Sequence, residues 1–238
     1  MSESMKERLQ NIGFGSLLGF SIEKLSVRSL GMFLMTCVKE NPLRIEVSRR
    51  SLPITPEAVH KVFGLPIGGQ SVPVYKRNAL TEGRKAIRQI CEDLGMFEFF
   101  FLYCKKIPSL GPFEVPRFFI ESLLSFSTLS GPEDVDWAVK FFLILCCNAL
   151  FFPTSSDKIN GFDYLMCEDL DSLGSYNWCE AIVRDIQHKA GLWRKQKPDK
   201  KTPIIQGCIV FLCVSHSDPI LVISLQFIIT FSVILILY

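Results

Sequence analysis

The sequence predicts a mainly α-helical chain: a compact multi-helix domain with one short β-hairpin near 43–54 and an apolar C-terminal helix. Three observations carry this. Apolar residues recur at three- and four-residue spacing in most segments, prolines and glycines interrupt them where helices should end, and one stretch alternates as strands do. Strands are too few for a large sheet, and no internal repeat is visible.

The elements follow in order. Val27, Leu30, Leu34 and Val38 predict a helix of about four turns, stopped at Asn41-Pro42. Residues 43–54 (LRIEVSRRSLPI) alternate around Arg and Ser and predict the hairpin. Thr55 is an N-cap, Pro56 a first helical residue and Glu57 a first-turn acid, so a short helix carries Val59, Val62 and Phe63 and ends at Gly64. Gly64–Val74 (GLPIGGQSVPV) is a loop. A helix over 81–104 places Ile87, Ile90, Cys91, Leu94 and Phe97 opposite Arg84, Lys85, Arg88 and Glu92. Another spans 116–129. Trp137–Phe152 is apolar on every side over 141–145 and flanked by acids, which predicts a central buried helix. Two further helices, 162–173 and 176–190, are separated by Gly174, and Arg194–Lys201 (RKQKPDKK) reads as a basic linker.

Composition excludes several classes. The chain has 238 residues, 26 basic and 24 acidic, and a formal charge of +2. It is neither disordered nor histone-like in balance. Met1–Gln10 is charged and lacks an apolar core, so no secretory leader is expected and the nine cysteines are expected to be reduced. They follow no disulfide or Cys-x-x-Cys framework, and several sit in apolar runs, so they read as small buried hydrophobes. Twenty phenylalanines, many in pairs, predict an aromatic core.

Five segments carry a family resemblance: Ile12–Leu18 (IGFGSLL), Ile54–Gly69 (ITPEAVHKVFGLPIGG), Leu150–Thr154 (LFFPT), Tyr176–Cys179 (YNWC) and Gln206–Cys208 (QGC). In that order and spacing the chain resembles the plant mobile domain family, also called the aminotransferase-like plant mobile domain. The resemblance covers residues 8–212 and so implies a helical domain over 1–212, with 213–238 as a separate apolar tail. It also implies transposable-element origin, association with Ulp1-type protease genes, and nuclear roles in silencing or genome maintenance. No reaction, cofactor or catalytic residue comes with it.

No enzymatic reading finds its full set of residues. A pyridoxal-phosphate enzyme needs a Schiff-base lysine, an acid for the ring nitrogen and a phosphate cup on a large α/β scaffold, and none of these can be picked out. A thiol protease needs a cysteine beside an oriented histidine. Cys179 and His188 share one predicted helix, but nine residues separate them, a rise of about 13 Å. Cys208, Cys213 and His216 lack a fourth ligand in the paired spacing of a zinc site. The glycine-bearing loop lacks the Gly-Lys-Ser/Thr ending of a phosphate loop. Gly64, Pro66, Gly68 and Gly69 are instead a candidate recognition loop.

A non-catalytic module without a cofactor is therefore expected, with protein partners and, as a second class of partner, nucleic acid. Trp193, Arg194, Lys195, Lys197, Lys200 and Lys201 form a local basic patch with a stacking ring, suited to phosphate contacts or to nuclear localisation. Arg44, Arg49 and Arg50 form a second basic group on the hairpin.

No charge occurs over 219–238, where 15 of 20 residues are apolar. As a helix this stretch would span about 30 Å of hydrocarbon. It reads as a membrane anchor with the body in the cytosol, as a buried terminal helix, or as a non-native end, since the resemblance stops near Phe211-Leu212. The expected location is the nucleus, with a tail-anchored membrane protein as the alternative and an enzyme of unassigned chemistry as a third class.

Overall fold

The computed structural model describes residues 1–19, 28–47, 50–93, 114–125, 132–154, 156, 158–196 and 206–216. Mainly helical, it carries one small antiparallel sheet.

An unanticipated helix, α1 (Glu3–Asn11), opens the chain. Ser2 caps it by accepting from the Met5 N–H, Glu3 sits favourably in the first turn, and Met5 and Leu9 turn inward. Arg8 flanks this inward stripe and bonds Asp136 and Asp171 at 2.9 and 2.7 Å. Charges in Met1–Gln10 mask this short inward stripe.

The predicted helix around Leu34 is α2 (Arg28–Cys37), but it stops before Val38. Val38–Glu40 instead form β1, joined through the cis Asn41–Pro42 turn to β2 (Leu43–Val47), which pairs with β3 (Arg50–Pro53). The hairpin is thus present, and a third strand precedes it. The sheet order is β1-β2-β3, with Ile45 opposite both Val38 and Leu52. Val38 and Ile45 are buried, so tertiary burial in the sheet overrides helical periodicity at Val38.

Helix α3 (Pro56–Phe63) is built as its residues dictate: Thr55 accepts from the Ala58 N–H, Pro56 begins the first turn, and Gly64 ends the helix in the left-handed region at φ 63°. Helix α4 spans Arg77–Cys91, starting before the expected 81; residues 94–104 lie outside the described set. Helices α5 (Arg117–Ser125) and α6 (Pro132–Cys146) follow, and a wide π turn over Cys147–Phe151 completes the buried segment. The expected 162–173 helix is only Gly161–Met166, α7, because the chain turns at Cys167. Helix α8 (Trp178–Arg194) runs past the expected 190 into the basic stretch, and α9 (Ile209–His216) packs on α2 and α3.

Five separated segments meet around Trp178, which is 1% exposed. Phe14 meets its ring edge-on at 5.2 Å, and Phe151 and Phe152 lie at 6.2 and 6.4 Å. Phe63 links Phe151 at 5.9 Å to Phe211 at 6.4 Å, while the Trp178 indole N–H donates to the Leu173 carbonyl. These are the IGFGSLL, PEAVHKVFG, LFFPT and YNWC segments, and QGC joins them where the Gly207 N–H donates to the Pro153 carbonyl. Burying a ring of this size stabilises by about 2 kcal/mol or more, and edge-to-face contacts add to that.

Among the described residues no helix is long and apolar enough to cross a membrane. Residues 219–238 lie outside that set.

Candidate functional site

The loop after α3 is fixed at several points before it reaches a cleft. Ser16 Oγ donates to the Phe63 carbonyl at 2.7 Å, and a β-carbon at Gly64 would stand 2.5 Å from that of Ser16. Leu65 is fully buried, and its carbonyl accepts from His60 Nδ1 at 2.7 Å. Pro66 packs over Gly13. Gly69, at φ 83°, faces the Ser175 carbonyl so closely that no β-carbon fits. Next to it the Gln70 N–H donates to Ser175 (2.9 Å) and the Asn177 N–H donates to Gln70 (2.7 Å). This two-bond strap ties the loop to the start of α8. Of the four candidate recognition residues, Gly64, Pro66 and Gly69 are therefore engaged in packing, and Gly68 faces open space.

Beyond the strap, the loop leaves the body and forms one wall of an open cleft of about 650 Å³. Val72, Pro73, Val74, Tyr75 and Leu80 stand on this side, with Phe152 and Phe162 continuing the apolar surface. Tyr75, Phe162 and Phe152 are locked edge-to-face, at 6.2 Å for the first pair and 5.4 Å for the second. Tyr75 also donates its hydroxyl to the Leu165 carbonyl at 3.1 Å. Val74 is 96% exposed at the rim. Among the described residues the backbone of Ser71–Val74 has no hydrogen-bond partner, which leaves the N–H groups of Ser71, Val72 and Val74 and the carbonyls of all four unpaired there; Pro73 has no N–H.

Helix α8 supplies the facing wall. Asn177, Ala181, Arg184, Asp185 and His188 recur at three- and four-residue spacing and so share one helical face, with Glu180 and Lys189 beside them. Asn177 also caps the helix, accepting from the Glu180 N–H at 3.1 Å. Arg184 bonds Glu180 at 2.9 Å, with 61% of the arginine side chain still exposed.

Two carboxylates lie deeper. Asp163 is 2% exposed and accepts from Asn148 Nδ2 and the Asn160 N–H, both at 2.8 Å, completing the α7 capping box. Arg117 holds Asn148 in place from 2.8 Å. Burial nevertheless pushes Asp163 up to about 6, against the hydrogen bonds and Arg117 that lower it. Asp185 also rises to about 6 through burial, opposed by Lys189 and His188. Its Oδ2 is buried without a hydrogen-bond partner among the described residues, and Lys189 stands 3.9 Å from Oδ1 while donating to Gln206.

The predicted basic patch divides. Arg194 is committed to the fold: its guanidinium donates to the Val38 carbonyl and pairs with Glu40, each at 2.9 Å, clamping the end of α8 to β1. Trp193 is half-buried against the core. Lys195 caps α8 and is exposed, whereas Lys197, Lys200 and Lys201 lie outside the described residues. On the hairpin, Arg44 pairs with Glu46 at 2.6 Å; Arg50 lies on β3, and Arg49 falls outside the described set.

Cysteine chemistry is subdued. Cys179 is fully buried with its thiol raised by burial to about 11, and it donates to the Leu65 carbonyl at 3.5 Å. Cys208 is buried as well, its thiol raised further still, and Cys213 is raised to about 11. Among the described residues no three His, Cys, Asp or Glu side chains gather as metal ligands.

Sequence reasoning missed the cleft and the Arg117–Asn148–Asp163 network. A signal for the network existed: Asn148 is the lone polar residue between Phe141 and Phe152, where a buried amide needs partners.

The fold and cleft define a helical domain with one pinned loop facing one helix. A family described as a domain of unknown function, DUF8566, matches residues 1–213, and the chain belongs to that family. No curated protein and no solved structure matches it.

Proposed function

We propose that this chain is a non-catalytic interaction module of the plant mobile domain kind, acting in the nucleus and holding a segment of a partner protein in the cleft between Ser71–Tyr75 and α8. The observation that carries the reading is the cleft itself: an apolar wall whose Ser71–Val74 backbone is unpaired among the described residues on one side, and a charged helical face on the other. Such a surface suits a peptide, whose side chains fill the apolar side and whose backbone bonds the open edge. Nucleic acid is less well served. The aromatic rings are packed against one another rather than presented as stacking platforms, and Arg194 is occupied by Glu40 and Val38. The exposed Lys195 and its neighbours in sequence then serve nuclear localisation.

The test places a photo-crosslinking residue at Val74 in the full chain inside cells. A protease-sensitive adduct that disappears when Ala181→Trp fills the cleft is the expected result. A nuclease-sensitive adduct, or one indifferent to Ala181→Trp, overturns the reading.

A further inference from the structure

We infer that the segment taken by the cleft is acidic and apolar: an aliphatic or aromatic anchor flanked by aspartate or glutamate. This rests on the peptide-binding reading above and adds the chemistry of the partner.

The argument turns on which cleft charges a ligand can reach. Formally the lining is mixed, with Glu180, Asp163 and Asp185 against Arg184 and Lys189. The acids are withdrawn. Asp163 is 2% exposed and occupied by two donors, the buried Oδ2 of Asp185 has almost no accessible surface, and Glu180, paired with Arg184, keeps 34% of its side chain exposed against the arginine's 61%. Burial also favours the protonated form of both aspartates.

The cations face outward. Arg184 keeps 61% of its side chain in solvent, three residues along the helix from Ala181. At the other rim Lys76 and Arg77 follow the cleft-lining Tyr75 directly, and both are exposed. Arg77 lies one turn before Leu80 on α4, so it shares the helical face that lines the cleft. Neither Lys76 nor Arg77 makes an ion pair among the described residues. Cations on both rims of an apolar trough complement an acidic segment and repel a basic one.

The experiment uses the purified full chain and three fluorescent probes read by anisotropy: a twelve-residue peptide of Asp, Glu, Leu and Phe, the same peptide with Lys for each acid, and a dT12 oligonucleotide. The acidic peptide should bind at least tenfold more tightly than the lysine peptide, and the preference should shrink as salt rises from 50 to 300 mM. Arg77→Glu with Arg184→Glu should erase or reverse it. Circular dichroism is to confirm that this variant is folded, and Arg77→Gln with Arg184→Gln should give a milder version of the same loss. Equal binding of the two peptides, or preference for lysine, overturns the charge assignment while leaving the peptide site standing. Tighter binding of dT12 than of either peptide, or binding of neither peptide, overturns both.

Discussion

Gly161 lies with its α-carbon against the carbonyl oxygen of Leu80, so close that a β-carbon at 161 has no room beside that backbone oxygen. Gly83, one turn further along α4, sits the same way against the Gly161 carbonyl, where a β-carbon would stand 2.6 Å away. Two glycines thus let α4 and α7 approach to backbone contact, and that approach fixes Leu80 and Phe162 in the wall of the cleft.

Gly161→Ala should therefore destabilise the chain by about 3 kcal/mol or more, because the obstacle is backbone rather than a movable side chain. Gly19→Ala is the control: a β-carbon there meets nothing within 4 Å among the described residues and should change stability by less than about 0.5 kcal/mol. Urea unfolding of the two variants decides it, and equal midpoints would contradict the close approach.

The two buried aspartates predict an unusual pH dependence. Each is raised in the folded state to about 6, above its unfolded value near 4. Folding takes up protons at these groups, so their favourable contribution is complete below pH 4 and is lost as pH rises through 6. Asp185→Asn should accordingly stabilise the chain at pH 7.5, by roughly 2 kcal/mol, and flatten the stability curve between pH 4 and 7. Asp163→Ala should do the reverse at pH 7.5, since it strands the Asn160 N–H and Asn148 donors at a cost of about 1–3 kcal/mol. Denaturant midpoints at pH 4.5 and 7.5 measure both signs, and a destabilised Asp185→Asn at pH 7.5 would show that Lys189 compensates the charge.

The basic stretch should separate by residue. Arg194→Ala loses the bonds to Val38 and Glu40 and should cost about 1 kcal/mol. Replacing Lys195, Lys197, Lys200 and Lys201 with alanine should leave stability unchanged within about 0.5 kcal/mol. The lysine variant should instead move a fluorescent fusion out of the nucleus. A fusion that stays nuclear refutes the localisation role.

At pH 7.5 native Cys179 should resist iodoacetamide and react only after denaturation, because a thiol raised to about 11 is almost wholly protonated and also buried. Mass mapping of labelled peptides reads this directly. Rapid native labelling at Cys179 would indicate an activated thiol and revive an enzymatic reading.

Local rules were legible in the sequence wherever a residue acts on its own neighbours. Thr55, Pro56 and Gly64 announce both ends of α3, and the alternation over 43–54 announces β2 and β3. Val38–Glu40 does not read as a strand, because three residues are too few to show a period and their apolar member also fits the preceding helix. The cleft was hidden for a different reason. Val72, Phe152, Phe162 and Arg184 come from four separate segments, and tertiary packing, including that of α4 on α7 and the strap to α8, brings them together. Charge pattern likewise cannot distinguish Arg194 from Lys195, since their roles depend on Glu40 lying within reach of one and not the other.

The strap between Gln70 and Ser175–Asn177 bears on how chains of this kind diverge. From Gly64 to Gln70 the path is fixed at both ends, by the α3 cap and by the strap, so an inserted residue there would break one of them. From Ser71 to Val74 no backbone hydrogen bond among the described residues fixes the path, so substitutions or length changes there act on the wall and rim of the cleft. The cleft wall can thus drift from one lineage to the next while the scaffold stays intact, and divergence should concentrate just beyond Gln70.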